Sequence, residues 1–121
     1  MIIYALANLL LTTCTVTDGD TIRCGSERIR LLGIDAPEMP GHCRQGRMCA
    51  PGDPLASKAA IATLLRRRPL TIMRIGRDRY GRTLALVSAG GQDLSCAQLR
   101  SGQAIYVEKW DDGRRLAKAC R

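Results

Sequence analysis

Aromatic side chains are almost missing from this sequence. Its 121 residues include no Phe, one Trp and three Tyr. The core must therefore be aliphatic, and stacking on flat ligands can rest on few side chains: Tyr4, Tyr80, Tyr106 and Trp110. Histidine is as scarce, because His42 stands alone in a Pro- and Gly-rich stretch. There it reads as an exposed loop residue rather than a general base. No Cys-x-x-Cys occurs, which leaves little support for a zinc ribbon or a thioredoxin-like motif. No apolar run reaches the roughly 18 residues of a membrane-spanning helix. Repeats, linkers and low-complexity tracts are also missing. With 45% hydrophobic and 25% charged residues, the chain has a globular rather than a disordered or fibrous composition. One domain over residues 12–121 is expected, preceded by an apolar extension over residues 1–11.

Positive charge is what the sequence has in excess. The net charge is +8, and sixteen of the nineteen cations are Arg. Such a surplus expects an anionic partner: nucleic acid, a membrane surface or an acidic protein. The planar guanidinium fork suits bidentate contact with phosphate. The charge is also unevenly spread. Residues 1–43 carry three Arg against five acids, whereas residues 44–121 carry sixteen cations against six acids. A locally acidic segment thus lies inside a basic domain, as a cation site facing an anionic polymer would.

Six cysteines are many for this length. Cys14 and Cys24 flank Gly19 symmetrically, like residues facing across a hairpin. Cys43 and Cys49 bracket a short loop, and Cys96 and Cys120 can tie a late helix to the C-terminal tail. Three disulfides in those pairs are expected, although six cysteines allow fifteen pairings. Six reduced thiols acting as small core hydrophobes are the alternative. Disulfides imply an oxidising, periplasmic or extracellular setting. The apolar residues 1–11 lack the basic start of a secretory signal. They fit a signal remnant, an interfacial helix, an added strand or a dimerisation face.

Local patterning orders the rest. Thr12–Thr17 and Thr21–Cys24 read as strands about the Asp18-Gly19-Asp20 turn. Glu27–Ile34 reads as a third, with Ile29 and Leu31 alternating with Arg28 and Arg30. Ala36–Gly52 is a loop. Asp53-Pro54 then opens a helix with apolar positions Leu55, Ala59, Ala62 and Leu65, closed by Arg66-Arg67-Arg68 and stopped by Pro69. Strands follow over Leu70–Ile75 and Thr83–Ser88, and a short helix over Asp93–Ser101. An extended stretch over 103–110 and a last short helix end the chain. The order βββ-α-ββ-α specifies an α+β, mainly β fold: a five-stranded OB-like barrel, a helix inserted after strand three and short C-terminal helices.

Three clusters carry chemical meaning: Asp18-Gly19-Asp20-Thr21, the run from Arg30 through Gly33-Ile34-Asp35-Ala36-Pro37 to Glu38, and Asp78-Arg79-Tyr80-Gly81-Arg82-Thr83-Leu84-Ala85. In this order, from about Thr15 to Ala104, they resemble the staphylococcal nuclease (thermonuclease) family. The resemblance implies that Asp20, Asp35 and the carbonyl of Ala36 bind a metal ion. It implies that Glu38 activates water, that Arg30 and Arg82 grip the reacting phosphate, and that Arg79 and Tyr80 contact the nucleotide. Asp18 and Thr21 would support the metal site. The implied reaction is hydrolysis of DNA or RNA at P–O5′, leaving 3′-phosphates, on single-stranded or frayed substrate with little sequence specificity. An all-oxygen donor set suits Ca²⁺, Mg²⁺ or another hard divalent cation.

The Gly41–Asp53 stretch is outside the family's familiar core motif and is expected to shape access to the site. The match fades after Ala104, and Trp110 is expected either to replace an aromatic nucleotide contact or, the favoured reading, to plug the core in place of a longer tail. A non-catalytic nucleic-acid-binding module is the competing function, but it gives no reason for Asp20, Arg30, Asp35, Glu38 and Arg82 to occur together. A membrane-surface role explains the charge and not the carboxylates. A monomer, or a dimer through the apolar N-terminus, is compatible with the sequence.

Overall fold

Tight turns fold residues 14–35 back on themselves in a computed structural model that describes residues 8–11 and 13–120. Strands β2 (Cys14–Asp18), β3 (Thr21–Cys24) and β4 (Glu27–Leu31) form an antiparallel meander. A second hairpin pairs β6 (Leu70–Arg77) with β7 (Thr83–Ala89), its register shifted between Arg74 and Gly76. The two units join where β4 runs parallel to β7, setting Arg30 opposite Leu84. Strand β1 (Asn8–Leu11) adds itself antiparallel to β6. The apolar residues before position 8 lie outside the described residues.

The sheet order is β1-β6-β7-β4-β3-β2, with β8 (Gln92–Asp93) paired to β7. All five expected strands form, giving the expected mainly β, OB-like α+β fold. The barrel stays open, because β1 covers the free side of β6 and β2 remains the opposite edge. The third strand ends earlier than its sequence pattern suggests. Gly33 turns the chain at φ +78°, and β5 (Ile34–Asp35) leaves to pair with β9 (Ile105–Tyr106). A Cβ at Gly33 would stand 2.8 Å from Leu116 Cδ2, so the turn is also packed tightly.

Helix α1 (Pro54–Leu64) starts where Asp53 accepts from the N–H groups of Leu55 and Ala56, at 2.9 and 3.3 Å. Of the expected apolar positions only Leu65 lies on its buried side. Ser57, Ile61 and Leu65 are buried, while Leu55, Ala59 and Ala62 are exposed. The true face has the same four-residue spacing but begins on a serine, because the helix must pass close to the backbone at Gly19. Arg66–Arg68 follow as a turn rather than helix. Helix α2 (Leu94–Arg100) is capped by Asp93, whose carboxylate accepts from Cys96 N–H at 2.9 Å. The tail contains two short 3₁₀ turns (Glu108–Trp110 and Asp112–Arg114) and α3 (Arg115–Ala119).

The buried cluster is aliphatic, as the lack of Phe requires: Ile22, Ile29, Leu31, Ile34, Ile61, Leu70, Ile72, Val87, Leu94 and Leu116 meet beneath the sheet. Three disulfides fasten its margins. Cys14 and Cys24 face each other in register across β2 and β3, Cα atoms 4.1 Å apart. Cys96 ties α2 to Cys120 after α3, and Cys43–Cys49 closes a ring in the loop before α1. These are the three pairs that the spacing suggests.

A buttress not legible in the sequence crosses the sheet. Glu27 on β4 accepts two bonds from Arg74 on β6, at 2.7 and 2.9 Å, and a third from Thr83 Oγ1 on β7 at 2.7 Å. The hydrogen bonds from Arg74 lower the Glu27 pKa to about 2. A depressed pKa contributes stability above the ordinary value of 4.5, and that stability is lost as pH falls from there toward 2. Discounted for partial exposure, the effect should be about 1–2 kcal/mol. Denaturation of Glu27→Gln followed from pH 6 to pH 2 should show this loss already present at pH 6, with a flatter acid limb than the wild type.

Candidate active site

The site grows from the Asp18-Gly19-Asp20 turn. Asp20 N–H donates to Asp18 Oδ1 at 3.1 Å, which tightens the turn. Gly19 is required by space: a Cβ there would come 1.8 Å from Ser57 Oγ and 2.8 Å from Ala36 Cβ. From behind, buried Gln98 donates to the carbonyls of Gly19 and Ser57, at 2.9 and 3.1 Å, and Ser57 Oγ donates to Gln103 O at 2.7 Å. Both helices therefore hold the turn, which aims Asp20 forward.

The Asp20 carboxylate is pinned on both oxygens, by Ala36 N–H at 2.8 Å and by Thr21 Oγ1 at 3.0 Å. This contact draws Asp35, beside Ala36, into the same pocket. Arg30 enters from β4, donating through Nη1 to the carbonyls of Leu31 and Ile34 at 3.2 and 2.9 Å. Its Nη2 lies 3.4 Å from Asp20 Oδ2 and 3.9 Å from Asp35 Oδ1. All three side chains are largely buried. Burial, the hydrogen bond with Asp20 and the charge of Asp20 push the Asp18 pKa up to about 7. Burial and the Asp20 charge also raise Asp35, against the pull of Arg30 and Arg47. Asp35 Oδ1 is buried with no hydrogen-bond partner. Asp20 and Asp35 thus share the buried Arg30 between them, and Asp18 stands beside Asp20.

That arrangement fits a hard divalent cation. The donors are oxygens, and one of them, Asp35 Oδ1, is buried without a hydrogen-bond partner. Asp20, Asp35 and the Ala36 carbonyl could hold such an ion, with Asp18 behind them.

The opposite wall comes from the β6–β7 connection. Asp78 accepts from the N–H groups of Tyr80 and Arg82, both at 2.9 Å, and from Arg82 Nε at 2.7 Å. Burial raises the Asp78 pKa, but the bonds from Arg82 and Tyr80 outweigh it and leave it low. Arg82 is held by its Nε, and its guanidinium also lies against the Tyr80 ring, 5.6 Å from the centroid. Arg79 stacks on the other part of this aromatic anchor, at 5.1 Å, and donates to its hydroxyl at 3.0 Å. Between the walls runs a cleft of about 1010 Å³, lined by Asp18, Asp20, Arg30, Glu38, Tyr80 and Arg82 among others. Every proposed site residue outside the cysteines thus lines this cleft or, like Thr21, Asp35 and Ala36, touches a residue that does. Cys14, Cys24, Cys96 and Cys120 are not among the residues that line it.

Three features escaped the sequence reading. Of the two roles weighed for Trp110 the favoured one, a core plug, is overturned: the side chain is 39% exposed and lines the cleft. Its ring covers the Arg30 guanidinium at 5.3 Å. Leu116 plugs the core instead, positioned by buried Asp111, which accepts from Leu116 N–H at 2.8 Å and Tyr106 OH at 2.6 Å. Arg28 also reaches the cleft and donates to the Tyr80 carbonyl. Its two-residue spacing from Arg30 placed both on one face of a strand and was a usable signal. Arg47, from the disulfide ring, pairs with Glu38 at 2.8 Å and Asp35 at 3.6 Å. No local pattern announced that contact.

The open OB-like sheet thus sets carboxylates and arginines around one cleft. The family described as staphylococcal nuclease homologue matches residues 28–120, and the chain belongs to that family. A succinoglycan biosynthesis protein, ExoI, of Rhizobium meliloti (strain 1021) is 36% identical over 102 residues, covering 82% of this chain and 53% of its own length. An uncharacterized endonuclease of Haemophilus influenzae is 33% identical, covering 81% of this chain and 54% of its own length. The thermonuclease of Staphylococcus intermedius is 31% identical, covering 74% and 54%. The chain thus spans about half the length of the curated relatives it matches.

Gly19→Ala should lower stability by about 1–3 kcal/mol, the usual cost of overpacking. Urea denaturation would measure it. An unchanged midpoint would mean that the turn does not depend on close approach to Ser57.

Proposed function

We propose that the chain hydrolyses phosphodiester bonds of DNA or RNA, assisted by a hard divalent cation such as Ca²⁺ or Mg²⁺. The observation that carries this reading is one cleft with a buried carboxylate cluster on one wall, Arg82 on the other, and Arg30 and Glu38 beside the carboxylates. The names of two relatives, endonuclease and thermonuclease, point the same way. Asp20, Asp35 and the Ala36 carbonyl would hold the cation, with Asp18 and Thr21 in support. When bound, such an ion supplies Lewis acidity to the phosphoryl group.

The chain's own residues do the rest. Glu38 takes a proton from the attacking water. The water oxygen bonds to phosphorus as the P–O5′ bond breaks, the departing O5′ takes a proton from solvent, and the products are a 3′-phosphate and a 5′-hydroxyl. Arg30 and Arg82 donate to the phosphoryl oxygens as charge builds there. Their rigidity matters, since a donor already in place needs no reorganisation during attack. Arg30 is fixed by two carbonyls and a covering indole, Arg82 by Asp78 and Tyr80. Arg28, Arg44, Arg77, Arg79 and Lys109 extend the positive lining along the cleft. They attract any polynucleotide backbone, with affinity that falls as salt rises. A single or frayed strand suits the narrow requirement that one backbone phosphate reach buried groups. The three disulfides support a periplasmic or extracellular setting. A binding-only role accounts for the cations but leaves the buried acids and Glu38 without a task.

Denatured DNA and RNA incubated with Ca²⁺ or with chelator provide the test. Chelation should stop cleavage, Arg82→Ala should lower kcat by about 10²–10³, and Glu38→Gln by about 10²–10⁴. The new 5′ ends should accept phosphate from a kinase without prior dephosphorylation. Cleavage indifferent to chelation and to both substitutions would remove the proposed site. Binding without cleavage under several divalent cations would favour a binding module.

A further inference from the structure

Arg47 occupies an unusual position for a loop residue. Its guanidinium spans two carboxylates, with Nη1 2.8 Å from Glu38 Oε1 and Nη2 3.6 Å from Asp35 Oδ2. Asp35 is one of the buried acids just described and Glu38 stands beside it; among the described residues Arg30 is the only deeply buried cation. Arg47 thus supplies part of the positive charge the cluster lacks. Packing does not hold it there. Residues 40–48 are exposed, and the Arg47 side chain itself is 40% exposed. Two things fix it instead: the ion pairs, and the Cys43–Cys49 ring that carries it. Within that ring Arg47 N–H donates to Arg44 O at 3.0 Å, a turn that sets the side chain toward the cleft.

We propose that Arg47 is an intramolecular counter-ion for the cation site. It neutralises Asp35 and Glu38 in the unliganded protein, and an incoming divalent cation and a substrate phosphate displace it. The disulfide ring sets its reach, so the ring tunes cation affinity without touching the cation. This inference rests on the cation-dependent reading above. It adds a positioning residue that the family resemblance does not supply, since the ring lies outside the familiar motif. Displacement also frees the Glu38 oxygen that Arg47 engages, so proton acceptance becomes available when cation and substrate are both present.

The test is Ca²⁺ titration, followed by calorimetry and by the emission of the single Trp, which lies over Arg30. Removing one positive charge near the site should make Arg47→Ala bind Ca²⁺ about five- to tenfold more tightly. Arg47→Gln, which keeps most of the side chain's length, should do the same, and Arg47→Lys, which keeps the charge, should stay within about twofold of the wild type. Cys43→Ala/Cys49→Ala should also tighten binding, with little further gain when Arg47→Ala is added. Ca²⁺ binding unchanged or weaker in Arg47→Ala and Arg47→Gln would overturn the proposal. Full additivity of the ring and Arg47 substitutions would overturn the role given to the ring. Absence of Ca²⁺ binding in wild type and variants alike would overturn the cation reading itself, and this inference with it.

Discussion

The structure turns on an unfavourable concentration of negative charge. Asp18 and Asp35 each stand within the field of Asp20, and burial raises the pKa of both. Like charges repel, and a low-dielectric setting strengthens the repulsion. A fold optimised only for stability would replace these residues. This one instead spends hydrogen bonds holding Asp20 still, through Ala36 N–H and Thr21 Oγ1, and braces its turn with Gln98 and Ser57 from two helices. On the proposed reading, these rigid acids with an orphaned oxygen serve a hard cation, and a scaffold prepared in advance loses little entropy on binding it.

The rest of the molecule follows from that requirement. Parallel pairing of β4 with β7 brings the acidic wall and the Arg82 wall to one cleft. The Glu27–Arg74–Thr83 contact fastens that junction on strands β4, β6 and β7. Each arginine proposed to meet phosphate is already held by another group: Arg30 by carbonyls and Trp110, Arg82 by Asp78 and Tyr80. Arg47 differs, because its partners are the site's own acids and its segment is exposed. Fixed cations suit charge that develops during reaction, and a displaceable one suits charge that must be exchanged.

Much of this was legible in the residues. The Asp18-Gly19-Asp20 turn, the Asp53-Pro54 helix start and the aliphatic core follow from local stereochemistry and composition. The cysteine pairs followed from symmetry and spacing, because a cross-strand pair and a short ring are local geometries. What escaped depends on contacts distant in sequence. The buried face of α1 was misassigned because hydrophobicity favoured Leu55, while close approach to Gly19 selects Ser57. The core-plug reading of Trp110 rests on the short tail, yet Leu116 fills that place and Arg30 offers Trp110 a partner at the cleft. Barrel closure could not be foreseen, since it depends on β1 taking the side of β6. Arg47 was one of many arginines, and only the folded loop sets it against Glu38.

The central claim is that the carboxylate cluster is built for a cation. Thermal unfolding across a Ca²⁺ concentration series tests it most directly, because a ligand bound only by the native state raises the midpoint by mass action. The account predicts a midpoint that climbs with Ca²⁺ in the wild type and stays flat in Asp20→Asn/Asp35→Asn. A wild-type midpoint that does not respond to Ca²⁺, Mg²⁺ or Mn²⁺, or one that rises equally in the double variant, would contradict it.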